Sequence, residues 1–312
     1  MANLRAFTHG ARMRFSSTAA SAARPRRIIR YSDRSSSAIH LALQPIENGP
    51  ATRLDGDLFG DLVETDVVDD AVHPEQLLSP VDPPIVLGTG LNYRKHAAEC
   101  GLPLPEWPML AFVKPPAAVV GPGAAVEIPY PACDPATPEV DWEVELAVVI
   151  GRHADGVTPC KDVTPDDARA HVLGYTVAND VSARLWQTDP PRTAGQWNKG
   201  KGFDTFCPLG PALVLDERGF DPHALDLSLT VNGEEMQRSN TADFVFGVGA
   251  VVSFLSAGTT LAPGTVLLTG TPEGIGMFRD PPRYLAHGDV VSASIDGIGT
   301  LTNPVVDLSR QQ

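Results

Sequence analysis

Glu139-Val140-Asp141-Trp142-Glu143-Val144-Glu145-Leu146-Ala147-Val148-Val149-Ile150-Gly151 sets acidic side chains at alternate positions immediately before an apolar, β-branched run. In a strand, residues i and i+2 point to one side. Glu143 and Glu145 therefore project together from the start of a strand whose continuation is buried. Two like charges held side by side repel, and burying them unpaired is costly or forces one to protonate. A divalent cation removes the problem, and paired oxygen ligands favour a hard ion such as Mg²⁺, Mn²⁺ or Ca²⁺. A solvated strand end carrying incidental acids has the same pattern, so other segments must decide.

The chain has 312 residues, 43% hydrophobic and 20% charged, with a formal net charge of −14. This suits a soluble globular fold of one large domain, or one domain with an appendage. No apolar run is long enough to span a bilayer, so no membrane association is expected. The body has no Lys/Arg-rich stripe, which argues against a nucleic-acid surface. Cys100, Cys133, Cys160 and Cys207 lie far apart with no Cys-x-x-Cys pair, so neither a zinc site nor a disulfide scaffold is expected.

The N-terminus has a different composition. Arg5, Arg12, Arg14, Arg24, Arg26, Arg27 and Arg30 accompany a Ser/Thr/Ala-rich centre, and no acid precedes Asp33. Such a composition is that of a mitochondrial presequence. Residues 1–24 are read as that, or as an extension of no address; the location is then mitochondrial (matrix), or cytoplasmic if the extension is not a presequence.

Arg26 to Tyr31 reads as a first strand, and 38–85 is weakly patterned, with turn signals at Asn48-Gly49-Pro50 and Asp55-Gly56. Residues 25–84 are expected to form a small N-terminal subdomain, closed by the prolines Pro80, Pro83 and Pro84. Beyond a short glycine-ended strand at 85–88, strands are expected at 110–114, 118–128, 142–151, 212–216, 227–232, 265–269 and 290–296. Helical pattern is sparse, with Asp166–His171 and Asp243–Leu255 the better candidates. The pattern gives a β-rich α+β body and not an alternating βαβ fold.

Four further segments offer chemistry. In Asn92 to Glu99, a helical turn would bring His96 and Glu99 together at i, i+3, preparing a general base; an exposed incidental pair is the plainer alternative. Asp180 ends the apolar run Gly174 to Asn179 and either joins Glu143 and Glu145 around a cation or caps the next turn. Lys199 and Lys201 lie on a glycine-flanked loop suited to a substrate carboxylate or an enolate oxygen, and chemistry alone does not choose between them. Leu268 to Gly276 is a strand followed by a Gly-rich turn, either an anion contact or a plain β-turn.

Taken together these segments resemble the fumarylacetoacetate hydrolase family. The matching pieces are Gly90-Leu91-Asn92-Tyr93 through His96 and Glu99, Asp141-Trp142-Glu143-Val144-Glu145-Leu146, Asn179-Asp180-Val181-Ser182-Ala183-Arg184, Trp186-Gln187, Gly200-Lys201-Gly202-Phe203-Asp204-Thr205-Phe206 and Thr269-Gly270-Thr271-Pro272. They occur in the family's order across roughly residues 85–306. Glu139 to Ile150, Phe206 to Pro211 and Phe278 to Pro282 look most like a eukaryotic, mitochondrial subgroup.

The resemblance implies the family's mixed β-roll over residues 85–308, a homodimer, and one Mg²⁺ or Mn²⁺ per active site. It assigns Glu143, Glu145 and Asp180 to the metal and His96 and Glu99 to a dyad on a mobile lid. Lys201, rather than Lys199, falls on the active-site lysine, and Gln187 and Thr271 fall on substrate contacts. Leu185 stands where the family usually has Asp, and Thr89 where the founding hydrolase has a further metal-binding Asp, so fumarylacetoacetate itself is not the expected substrate. The implied chemistry is the handling of a small 2-keto acid through an enolate. Oxaloacetate keto–enol tautomerisation is the leading activity. C–C hydrolysis of acylpyruvates or β-diketo acids and oxaloacetate decarboxylation are the alternatives, in central or biosynthetic metabolism.

Overall fold

The protein is described from a computed structural model, covering residues 13–14, 25–33, 36–129, 139–217 and 219–311. The expected presequence, apart from Met13 and Arg14, lies outside the described residues.

The strand Val144–Ile150 is buried at every position, as its unbroken apolar run requires. It pairs antiparallel with Val172–Asn179 on one side and with Val266–Leu268 on the other. Val172–Asn179 continues to Cys207–Leu215, and Val266–Leu268 runs parallel to Val86–Thr89, which pairs with Leu110–Lys114. This mixed sheet extends into the N-terminal segment, because Cys207–Leu215 pairs with Arg27–Ser32 through Leu213–Ile28 and Val214–Arg27. A meander then follows through Ile39–Leu43, Ala51–Gly56 and Leu62–Asp69. That meander left little trace in the sequence. Its last strand exposes Val63, Val67 and Val68, so apolar side chains do not mark one face.

A second sheet runs in the order Glu234–Asn240, Asp226–Val231, Val290–Ile295, Gly299–Asp307 and Val126–Ile128. It packs across the first, with Gly299–Asp307 against Cys207–Leu215 and Asp226–Val231 against Val144–Ile150. Alternation along Asp226–Val231 and Val290–Ile295 puts Leu227, Leu229, Val231, Val291, Ala293 and Ile295 into the shared core. The architecture is the expected β-rich α+β class.

Helices are short. The expected helix Asp243–Leu255 is a 3₁₀ turn at Thr241–Asp243, capped by the Asn240 side chain, followed by an α-helix at Val248–Ser256. Asp166–His171 reduces to a 3₁₀ turn, Ala168–His171. The stretch read as a lysine-bearing loop is a one-turn helix, Asn198–Lys201.

Candidate active site

Strand alternation delivers Glu143 and Glu145 to one side of the sheet, and the antiparallel neighbour ends beside them. Val144 sits opposite Asn179, and the Asp180 N–H donates to the Glu143 carbonyl at 2.8 Å. Asp180 therefore emerges next to the two glutamates although 35 residues separate it from the nearer one in sequence. All three carboxylates are buried, and each offers an oxygen within 4.8 Å of the others.

Three buried cations surround them. Lys201 Nζ lies 2.9 Å from Glu143 Oε2 and also contacts Asp180 Oδ2. Arg184 Nη2 is 2.7 Å from Glu143 Oε1, and its Nε donates to Asp141 Oδ2 at 2.8 Å. Lys114 Nζ is 2.7 Å from Asp180 Oδ1, while its protons go to the carbonyls of Val181, Lys201 and Phe206. The four carboxylates Asp141, Glu143, Glu145 and Asp180 thus meet three cations, and one negative charge is left over. It falls on Glu145: among the described residues no lysine or arginine pairs with it, and its Oε2 accepts only the Gly270 N–H, at 2.6 Å.

The protonation tendencies follow. Burial, then the Asp180 and Glu143 charges, hold Glu145 well above the ordinary carboxylate range. Burial also pushes Asp180 up against the pull of Lys114 and Lys201. Glu143 is driven down, because Lys201 and Arg184 outweigh its burial. An all-oxygen set with one uncompensated charge suits a hard divalent cation, whose own charge would favour the ionised form of Glu145.

The dyad sits on the helix Arg94–Glu99. His96 Nδ1 and Glu99 Oε2 are 2.8 Å apart, and His96 is buried. Burial lowers its proton affinity, but the Cys100 thiol and Glu99 outweigh it, and His96 is pushed up to about 9. The Glu143 charge contributes in the same direction, which places the dyad within electrostatic reach of the triad. Glu99 Oε1 accepts the Gly274 N–H at 2.9 Å, joining the helix to the Gly-rich turn.

Lys199 and Lys201 separate cleanly. Lys201 is buried among the carboxylates, whereas Lys199 Nζ lies 4.2 Å from the Phe203 ring centroid. Gln187 is buried, its Oε1 taking Arg184 Nη1 at 2.8 Å. Thr271 is buried at the triad's edge; its hydroxyl donates to the Val144 carbonyl and accepts from Gln237 Nε2 at 2.9 Å.

Lys114, Asp141, Arg184 and Gln237 had no role in the sequence reading. Asp141 was legible in principle, since it continues the alternation of Glu143 and Glu145. Lys114 carried the signal of a lysine closing an apolar strand. Gln237 carried none: it reaches the site from the second sheet.

Residues 85–306 match the family described as fumarylacetoacetate (FAA) hydrolase, C-terminal. A Xenopus laevis protein named oxaloacetate tautomerase fahd2, mitochondrial, is 46% identical over 231 residues, covering 74% of this chain and 68% of its own. A Bos taurus protein named oxaloacetate tautomerase FAHD2A, mitochondrial, is 47% identical over 230 residues, covering 73% and 69%. Among solved structures, a 2-hydroxyhepta-2,4-diene-1,7-dioate isomerase from Mycobacterium marinum superposes with a TM-score of 0.73 at 38% identity, covering 90% of this chain and 98% of that one.

Proposed function

The chain belongs to the fumarylacetoacetate hydrolase family, and from that premise we propose that it is an oxaloacetate keto–enol tautomerase dependent on a divalent cation. One observation carries the reading. A buried carboxylate triad with a single unbalanced charge lies within electrostatic reach of a His–Glu dyad, in a chain 46–47% identical to proteins bearing that name.

Glu143, Glu145 and Asp180 would hold the cation, Mg²⁺ or Mn²⁺, one per site. Bound there, it would act as a Lewis acid, stabilising negative charge on the 2-keto oxygen of the substrate. Tautomerisation moves one proton between C3 and that oxygen while the double bond shifts between C2–O and C2–C3, and it breaks no σ bond between heavy atoms. The Glu99 carboxylate holds the Nδ1–H of His96, leaving Nε2 to take the proton from C3 or return it. Lys201, kept protonated because Asp180 and Glu143 outweigh its burial, supplies positive charge toward the oxygen. Gln187 and Thr271 would orient the substrate's carboxylates.

The intact dyad also suits activation of water, which supports a second reading: C–C hydrolysis of acylpyruvates or β-diketo acids, or oxaloacetate decarboxylation. Residues 25–84 would act as a supporting subdomain and 85–308 as the catalytic one, in a homodimer. The mitochondrial names of the relatives and the arginine-rich N-terminus support the matrix as its location.

The test follows the enol absorbance of freshly dissolved oxaloacetate with Mg²⁺ while pyruvate and CO₂ are monitored. The expected result is accelerated enol loss without pyruvate. Pyruvate formation, or inert oxaloacetate with cleavage of acylpyruvates, would replace this activity by the second reading.

A further inference from the structure

The Gly-rich turn after Val266–Leu268 does more than border the triad. Its amides and carbonyls are taken up, one by one, by the two residues that precede Glu143. Asp141 is fully buried, and its carboxylate receives four donors: the N–H groups of Trp142 (2.8 Å), Gly276 (2.7 Å) and Met277 (3.1 Å), and Arg184 Nε (2.8 Å). Trp142, also fully buried, donates its indole N–H to the Gly274 carbonyl at 3.2 Å.

The other side of Gly274 faces the dyad, since its N–H is the donor that Glu99 Oε1 accepts. One peptide segment is therefore held from below by Asp141 and Trp142 and holds Glu99 from above. Two glycines make this possible. Gly274 sits at φ +98°, and a Cβ there would lie 2.3 Å from the Met236 carbonyl oxygen. A Cβ on Gly276 would lie 2.0 Å from the Arg283 carbonyl oxygen and 2.5 Å from Asp141 Oδ1. Only bare backbone fits between the strand and the turn.

The helix that carries the dyad needs such a dock. It has six residues, too few to persist alone in water. Its first turn is anchored elsewhere: Arg94 donates to the carbonyls of Asp243 and Phe244, and the Lys95 N–H to Asp243 Oδ2 at 3.0 Å. At its last turn, the Glu99–Gly274 bond is the polar tie that places Glu99, and through it His96.

We propose that Asp141 and Trp142 are positioning residues for the dyad: by fixing the 274–277 turn they fix the acceptor site on which Glu99 closes, and so the direction of His96 Nε2. Arg184 joins the same carboxylate to Glu143, so one buried group touches both the triad and the dock of the dyad helix. This deepens the tautomerase reading and rests on it only for its kinetic arm.

The test uses full-length Asp141→Asn and Trp142→Phe, with hydrogen exchange, Mn²⁺ titration and oxaloacetate kinetics. An asparagine presents an N–H group where one pair of donors needs an acceptor; phenylalanine deletes only the indole donor and part of the ring. Exchange in 94–99 and 271–278 should quicken by about tenfold or more in both variants, while in Trp142→Phe, which keeps the Asp141 charge and its Arg184 partner, the Mn²⁺ Kd stays within about threefold. The value of kcat should fall by about ten- to a hundredfold with KM nearly unchanged. Unchanged exchange in 94–99, or a loss confined to Mn²⁺ affinity, would overturn the proposal and leave Asp141 a brace of the triad alone. Should Asp141→Asn fail to fold, wild-type protein decides: Gly276 and Met277 amides exchanging as fast as an open loop would overturn it as well. The exchange arm needs no turnover, so a protein inert toward oxaloacetate would defeat the activity assigned above without touching this inference.

Discussion

His96 and Lys114 show how burial and partners together decide what a single side chain does. His96 is held up to about 9 by Cys100 and Glu99 against its burial, from an ordinary value of 6.5. Its imidazolium is therefore favoured below that pH, and a step that needs the neutral ring is lost as pH falls through it. The kcat/KM profile for oxaloacetate should show a limb near pH 9, and Glu99→Gln should move that limb downward; a limb unmoved in the variant would detach it from the dyad. The same shift makes the His96–Glu99 pairing a stabilising contact at pH values below 6.5, lost as pH rises through about 9. Lys114 is fully buried, and its ammonium serves three carbonyls as well as Asp180. Lys114→Met leaves Asp180 short of a counter-charge and three carbonyls short of a donor. Urea unfolding should register a loss of about 3–5 kcal/mol, the range for removing one partner of a buried pair.

At the scale of elements, the site is a seam between the two sheets. Gln237, from the strand Glu234–Asn240, accepts the Val144 N–H at 2.9 Å and donates to Thr271 Oγ1 and the Pro272 carbonyl. It thus grips the strand between Glu143 and Glu145 together with the turn that faces them. Gln237→Leu should destabilise the fold by about 1–3 kcal/mol through the orphaned Val144 amide and Pro272 carbonyl. It should also weaken cation binding, because both glutamates ride on that strand; calorimetric titration of Mn²⁺ checks the second effect independently of unfolding. Val144–Ile150, buried throughout, was legible in advance and fell within the expected strand 142–151, whereas Cys207–Leu215, equally buried, was expected only over 212–216 because prolines interrupt its first half. Glu234–Asn240 was not legible. Its charged, solvent-facing residues hide the three buried ones, Met236, Gln237 and Ser239.

For the whole molecule, the arginine-rich extension differs in composition from the acidic body, and the proposal that it is a mitochondrial address can be tested apart from the chemistry. Removing residues 1–24 should leave oxaloacetate turnover unchanged in vitro and abolish mitochondrial import in cells, scored by fractionation; import that survives the deletion would count against the presequence. What the sequence determined by itself was the set of chemical parts and their family. Alternation within one strand is a local rule, so Glu143 and Glu145 were bound to face one way once that segment was extended, and a three-residue spacing was enough to pair His96 with Glu99 once a helical turn formed. What only the tertiary structure decided was compensation and attachment. Which of Lys199 and Lys201 meets the carboxylates, which acid is left without a cation, and what the helix Arg94–Glu99 docks on all depend on groups brought together across strands and sheets. Lys114 and Gln237 converge on the triad from distant segments, Arg184 reaches from beside Asp180 across to Glu143, and charge balance in a buried site is set by everything within a few ångströms, a neighbourhood that sequence distance does not measure.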